Sequence, residues 1–328
     1  MIDNKTINII SDLTTKYDLG KIKDIEIFKS SQNKVYKVTT DKNIYAIKEF
    51  SKDAISNYYY LRKRKEQLSI SKKLNDNKIK SLLPLIFNNK YFISFNKHYY
   101  LIYNYLEEKP LTKEEITIEH IKELAKNQSK IHKLNLESNL PCTYKIIKID
   151  YDKYLKQSKK IDKELYKVLN ENLNVLKIIT WNCNRKLKDM KNNLCISHND
   201  YKLLNILWKE YKMTLIDFDA TGLSNPTCSL CESAFTFSKY DNHINYEYYK
   251  EYLNTYIKHY GKIKENYKDA MYVSFNGKLQ WLSYMLSKNK YKKNNYIKET
   301  ISMINELVLY YNNIDKFNDI YLEIKKND

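Results

Sequence analysis

Glycine and proline are scarce, with 4 of each in 328 residues. No Gly/Ser-rich or Pro-rich stretch marks a flexible linker, and no internal repeat is visible. No apolar run nears the ~20 residues that a membrane-spanning helix needs. The opening "MIDNKTINIISDL" lacks the charged-then-apolar pattern of a secretory signal, so the expected location is cytoplasmic. The 5 cysteines, at 142, 183, 195, 228 and 231, are odd in number. Without an export signal, that argues against a disulfide framework. Cys228 and Cys231 form a lone CxxC without a second regularly spaced pair, and they read as buried free thiols rather than zinc ligands.

What is present is charge and tyrosine. Hydrophobic residues make up 43% of the chain and charged residues 29%, which suits a folded protein with a sizeable core. The net charge is +18. Lys, Asn, Ile and Tyr are all abundant, as in an AT-rich coding sequence, and that bias accounts for the lysines. No compact Arg-rich stripe or nucleic-acid motif accompanies them, so the expected partner is a small molecule rather than nucleic acid. Residues 221–328 hold 15 Lys/Arg against 12 Asp/Glu, so the positive excess lies in the first 220 residues. Oligomeric state is not legible.

Periodicity divides the chain. Residues 25–50 alternate like strands, and "VYKVTT" and "IYAIKEF" are joined by the short connection "DKN". Residues 53–75 carry apolar side chains at helical spacing. "YFISF" and "YYLIYNYL" flank "NKH" as a second hairpin. The order is strand, strand, helix, strand, strand. Residues 114–136 and 151–178 then read as helices, and the chain from Glu232 onward is mostly helical. The expectation is an α+β fold with a small β-rich lobe over 1–105, a larger α-rich lobe over 106–328, and a ligand cleft between them.

The stretch "CISHNDYKLLNILWKEYKMTLIDFDATG" (195–222) sets acidic and amide side chains between short apolar runs. Burying such groups is costly unless they bind something. Asp200 follows the strand-like "LCIS", Asn205 precedes "ILW", and Asp217 follows "MTLI". A hairpin over "NILWKEYKMTLID" brings Asn205 and Asp217 to one end, where two oxygen donors suit a hard cation such as Mg²⁺. Phosphoryl transfer from ATP needs such a site, a carboxylate to orient the attacking hydroxyl, and a cation on the remaining phosphates.

The pattern His198-x-Asp200-x4-Asn205, followed by Asp217-Phe-Asp219, resembles the catalytic loop and metal motif of the protein-kinase-like fold. Within that fold it is most similar to the aminoglycoside phosphotransferase and choline kinase superfamily, which includes spore-coat kinase-like proteins. The resemblance implies Asp200 as catalytic base and Asn205, Asp217 and Asp219 as metal ligands. It implies Lys48 in "YAIKEF" on the phosphates, steadied by Glu66. It also implies Ser31 and Asn33 in the nucleotide loop, Asn104 and Leu106 as the main-chain hinge for adenine, and Lys202 against the γ-phosphate. ATP and Mg²⁺ are the implied cofactors, and a hydroxyl of an aminoglycoside, a choline-like molecule or a sugar is the implied acceptor.

The sequence departs from that pattern in places. The nucleotide loop "SSQNKVYKV" has no glycine, so Ser30, Ser31 and Asn33 would supply small hydrogen-bonding side chains instead. Asn199 stands where protein kinases usually have Arg. His198 and His132 read as structural, and the basic run "LRKRKEQ" reads as a solvated helix face. Two other readings stay open at this level: a non-catalytic, coat-type protein on this fold, and a protein kinase, which Lys202 favours.

Overall fold

The computed structural model describes residues 3–28, 33–51, 55–261, 263–289 and 294–327. Two compact units divide it. The first comprises residues 1–110 and 205–219, and the second comprises 111–204 and 220–328.

The first unit is built on a five-stranded antiparallel sheet of β1 (Ile22–Phe28), β2 (Lys34–Thr40), β3 (Ile44–Glu49), β4 (Ile93–Phe95) and β5 (His98–Asn104), in the order β1-β2-β3-β5-β4. It includes α1 (Asn4–Lys16) and α2 (Tyr58–Asp76). Side chains alternate across a strand. On one face Tyr36, Val38, Tyr45, Ile47, Tyr100 and Ile102 form a core with Ile10 and Leu13 of α1. On the other face Phe50 and Leu101 pack with Leu68 of α2. Lys48 shares the parity of Phe50 and is paired with Leu101, so it points to the α2 side. The expected strand–strand–helix–strand–strand order is met, with α1 and the edge strand β1 added before it.

The second unit holds α3 (Ile118–Lys133), α4 (Tyr151–Ile161), α5 (Lys163–Met190), β6 (Cys195–Ser197), β9 (Gly222–Ser224), α6 (Pro226–Ser238), β10 (Lys239–Tyr240), β11 (His243–Ile244), α7 (Tyr246–Tyr260), α8 (Tyr267–Ser274), α9 (Asn276–Asn289), α10 (Asn294–Asn312) and α11 (Ile314–Asn327). The single helix expected over 151–178 is two. Asp162 adopts an extended conformation and accepts from Leu165 N–H, ending α4 and capping α5 in one residue.

Between these segments the chain makes a hairpin of β7 (Ile206–Lys209) and β8 (Lys212–Leu215). A boundary at 105/106 assigns it to the C-terminal lobe, but the structure puts it in the first unit. Backbone hydrogen bonds are the reason: Leu215 N–H donates to Lys80 O (2.9 Å), Leu82 N–H to Leu215 O (2.9 Å) and Trp208 N–H to Lys109 O (3.0 Å).

Many of the tyrosines are core. Tyr249, Tyr252, Tyr256 and Tyr310 are fully buried, and their hydroxyls find partners, as burial requires. Tyr249 meets Tyr267 (2.7 Å), Tyr252 donates to Gln128 (2.8 Å) and Tyr256 meets His132 Nδ1 (2.6 Å). Phe235 of α6 stacks on Tyr310 of α10 at 4.6 Å and lies edge-on to Phe317 of α11 at 6.3 Å. It ties three helices together. Phe235→Ala is therefore expected to cost about 3–5 kcal/mol, read as a lower urea midpoint with unchanged slope. A loss under about 1 kcal/mol would show that this contact is not a core joint.

Candidate active site

Four segments of the first unit converge on Asp217 and Asp219. The β7–β8 ladder starts at Ile206↔Leu215, and Ile216 N–H donates to Asn205 O at 3.0 Å. Asn205 and Asp217 thus flank the same end of the hairpin, and Asn205 is buried. Asp217 has φ 60°, a left-handed conformation that costs a non-glycine residue free energy and is typical of functional turns. The turn that follows carries Asp219.

Lys48 Nζ donates to Asp217 Oδ1 and to Asp219 Oδ2, each at 2.8 Å. Burial opposes the ammonium charge, but the carboxylates of Asp219 and Asp217 outweigh it and hold its pKa above the ordinary lysine range. Asn33 Nδ2 donates to the same Asp219 Oδ2 at 3.1 Å, and its Oδ1 accepts from Ser51 N–H at 3.3 Å. Arg64 and Gln67 of α2 both donate to the Asp219 carbonyl, at 2.7 and 2.8 Å, and Arg64 lies 3.4 Å from Asp219 Oδ1. Two carboxylate oxygens already converge on one cation, so the donor set fits a hard divalent ion. Among the described residues, no group of three or more His, Cys, Asp or Glu gathers as a metal site. A metal here would draw on Asp217, Asp219, the Asn205 amide, water and phosphate.

Several sequence expectations change. The resemblance sets Glu66 as the partner of Lys48, but the ion pairs of Lys48 run to Asp217 and Asp219. Glu66 sits half-buried on α2 between Arg64 and Gln67. The basic run of α2 is not wholly a solvated face, because the Arg64 side chain is 13% exposed and turned onto Asp219. Arg64 and Gln67 share a helix face at i,i+3 and are bonded to each other at 3.1 Å. Ser31 lies outside the described residues. Asn104 ends β5, its Oδ1 accepting from Asn43, and Leu106 follows half-buried.

Asp200 belongs to the second unit, on the loop after β6. Cys195↔Ser224 and Ser197↔Gly222 pair β6 with β9. Asn199, at φ 58°, donates to Ser197 O (3.1 Å) and Gly222 O (3.2 Å), so the residue in the usual Arg position clamps the loop. Position 222 needs glycine, since a Cβ there would lie 2.9 Å from Thr143 Cγ2 and 3.2 Å from Pro141 O. Beside that loop, buried His132 bonds Ser197 Oγ (2.9 Å) and Tyr256, and burial pushes its pKa down to about 3. It is a neutral strut. Lys202 ion-pairs with Asp200 at 2.8 Å.

Asp200 lines a cavity of about 460 Å³ contained in the second unit. Its walls include Lys202, Glu232, Lys278, Glu306 and Lys239. Glu306 accepts from Lys239 (2.6 Å) and Lys278 (2.7 Å), while Glu232 lies 3.6 Å from Lys278. The two carboxyls diverge accordingly. Burial raises Glu232, whereas for Glu306 burial is overcome by Lys278 and Lys239 and the carboxyl falls to about 2.

A sequence profile of the phosphotransferase enzyme family (APH) matches residues 24–265, well over half of the chain. The chain belongs to that family. No curated protein matches it. Among solved structures, this phosphotransferase-family chain resembles a spectinomycin phosphotransferase, APH(9)-Ia, solved with ADP and spectinomycin. That likeness has a TM-score of 0.71 and 15% identity, over 93% of this chain and 97% of that one. An amicoumacin kinase solved with AMP-PNP, Ca²⁺ and its antibiotic gives 0.60 and 13%, over 91% and 96%. A Plasmodium vivax ethanolamine kinase gives 0.61 and 16%, over 94% and 90%. At such identities the likeness shows the fold alone: the protein-kinase-like fold, with a small antiparallel-sheet unit and a larger helical one. No helix among the described residues is long and apolar enough to cross a membrane.

Glu306→Gln leaves Lys239 and Lys278 without their shared carboxylate, at an expected cost of about 3 kcal/mol at pH 7. Because the folded carboxyl is depressed, the stability it contributes is present above the unfolded value of ~4.3 and is lost as pH falls toward about 2. The gap between wild-type and variant urea midpoints should therefore close below about pH 4. A gap independent of pH would contradict the assignment.

Proposed function

We propose that the chain is an ATP- and Mg²⁺-dependent phosphotransferase that moves the γ-phosphoryl group to a hydroxyl of a small molecule. The observation that carries this reading is the convergence of Asp217 Oδ1 and Asp219 Oδ2 on the Lys48 ammonium at 2.8 Å each. Two carboxylates and a lysine on the same side of a sheet suit a metal–triphosphate. The ADP and AMP-PNP in the similar solved structures support the same class of donor.

In this reading Lys48 holds the α- and β-phosphates, and Asn205, Asp217 and Asp219 hold Mg²⁺. When bound, the ion would supply charge neutralisation on the β/γ-phosphates. Arg64, Gln67 and Asn33 position Asp219. Asn104 and Leu106 present main-chain groups to adenine. Asp200 accepts the proton of the acceptor hydroxyl while that oxygen bonds to the γ-phosphorus and the β–γ bridging oxygen leaves with ADP. Lys202 pairs with Asp200 at 2.8 Å beside the acceptor position. Asn199 and Gly222 hold its loop in place.

The test is phosphate transfer from labelled ATP to a pool of hydroxyl-bearing metabolites. Asp200→Ala is expected to lower kcat by ~10²–10⁴-fold with nucleotide affinity unchanged. Wild-type turnover in that variant would overturn the role of Asp200. Label on protein instead would favour a protein kinase. No nucleotide binding at all would favour a non-catalytic member of the family.

A further inference from the structure

The cavity beside Asp200 carries an unusual charge balance. Three ammonium groups, those of Lys113, Lys239 and Lys278, face it against the carboxylates of Glu232 and Glu306. Both carboxylates are already engaged: Glu306 by Lys239 and Lys278, and Glu232 by Lys278. Asp200 itself carries Lys202. Lys113 stands apart. Its Nζ donates to the Thr236 main-chain carbonyl at 2.6 Å and lies 5.5 Å from the centre of the Tyr240 ring. Among the described residues no carboxylate forms an ion pair with it.

A partly buried ammonium without a carboxylate is costly, and a second ammonium nearby adds to the cost. Burial first, and then the Lys239 charge, pull the Lys113 pKa down to about 8. An anion seated against Lys113 would relieve both effects, with Lys239, itself paired to Glu306, as a second ammonium beside it. A polycation would meet the reverse: lysines facing it, and carboxylates already taken by lysines of the same wall.

On the reading of the chain as a small-molecule phosphotransferase, we propose that its acceptor is an alcohol bearing an anionic group, a carboxylate or a phosphate monoester, which Lys113 and Lys239 bind in the cavity lined by Asp200. The hydroxyl is then presented to Asp200 and the anion to the lysines. This sets the chain apart from phosphotransferases that act on polycationic or quaternary-ammonium acceptors.

The experiment measures phosphate transfer from ATP to glycerate and gluconate (carboxylate arm), glycerol 3-phosphate (phosphate arm), and choline, ethanolamine and kanamycin (cationic arm). At least one anionic alcohol should exceed every cationic one by ~100-fold in kcat/KM. The better arm identifies the anion. Lys113→Gln should raise KM for that acceptor about tenfold or more with kcat changed little, and Lys113→Arg should restore it. Faster transfer to choline, ethanolamine or kanamycin would overturn the inference and leave the phosphotransferase reading standing, as would an unchanged KM in Lys113→Gln. If no acceptor is phosphorylated, thermal shift with AMP-PNP and Mg²⁺ decides. An added shift from an anionic alcohol, lost in Lys113→Gln, supports the inference, and its absence overturns it. Loss of the nucleotide shift itself counts against the phosphotransferase reading instead.

Discussion

One ammonium between two carboxylates organises the first unit. Lys48 lies on a central strand, and strand parity turns it to the α2 side of the sheet. Asp217 and Asp219 come from a hairpin 169 and 171 residues further along the chain. At an effective dielectric of ~20, each pair at close range is worth several kcal/mol before desolvation is subtracted. That attraction is what makes a half-buried acidic turn tolerable. The backbone bonds of Leu215 and Trp208 then keep the hairpin in the first unit, so the acids stay with the sheet that carries the lysine.

The same logic, with opposite sign, governs the second unit. There, lysines outnumber the carboxylates around a cavity, and the surplus is met by a carbonyl and an aromatic ring rather than by an acid. Buried tyrosines surround this region because each brings large apolar area together with one hydroxyl that a neighbour can satisfy. His132 belongs to that scheme. It is locked neutral between Ser197 and Tyr256, joining α3, β6 and α7. Polar atoms here shape the wall of the cavity as much as they line it.

How much of this was legible in the sequence follows from how local each feature is. The hairpin that aligns Asn205 with Asp217 spans 13 residues, and its alternation shows directly. The orientation of Lys48 follows from a two-residue period shared with Phe50. By contrast, the burial of Arg64 depends on Asp219, 155 residues away, so its basic run read as solvated. Asp162 breaks a helix through its own conformation, which apolar spacing does not register. The cavity charges lay hidden for the same reason as Arg64. Lys113, Lys239, Lys278 and Glu306 sit on four separate segments with no shared motif, and only the tertiary fold brings them together.

If Asp217 and Asp219 grip a divalent ion against a triphosphate, nucleotide affinity depends on that ion through these two carboxylates. Calorimetric titration of AMP-PNP into the wild-type chain and into Asp217→Asn, each with and without Mg²⁺, tests it most directly. Mg²⁺ should tighten binding to the wild type by ~10-fold or more, and the variant should lose this gain. Equal affinity in all four titrations would contradict it.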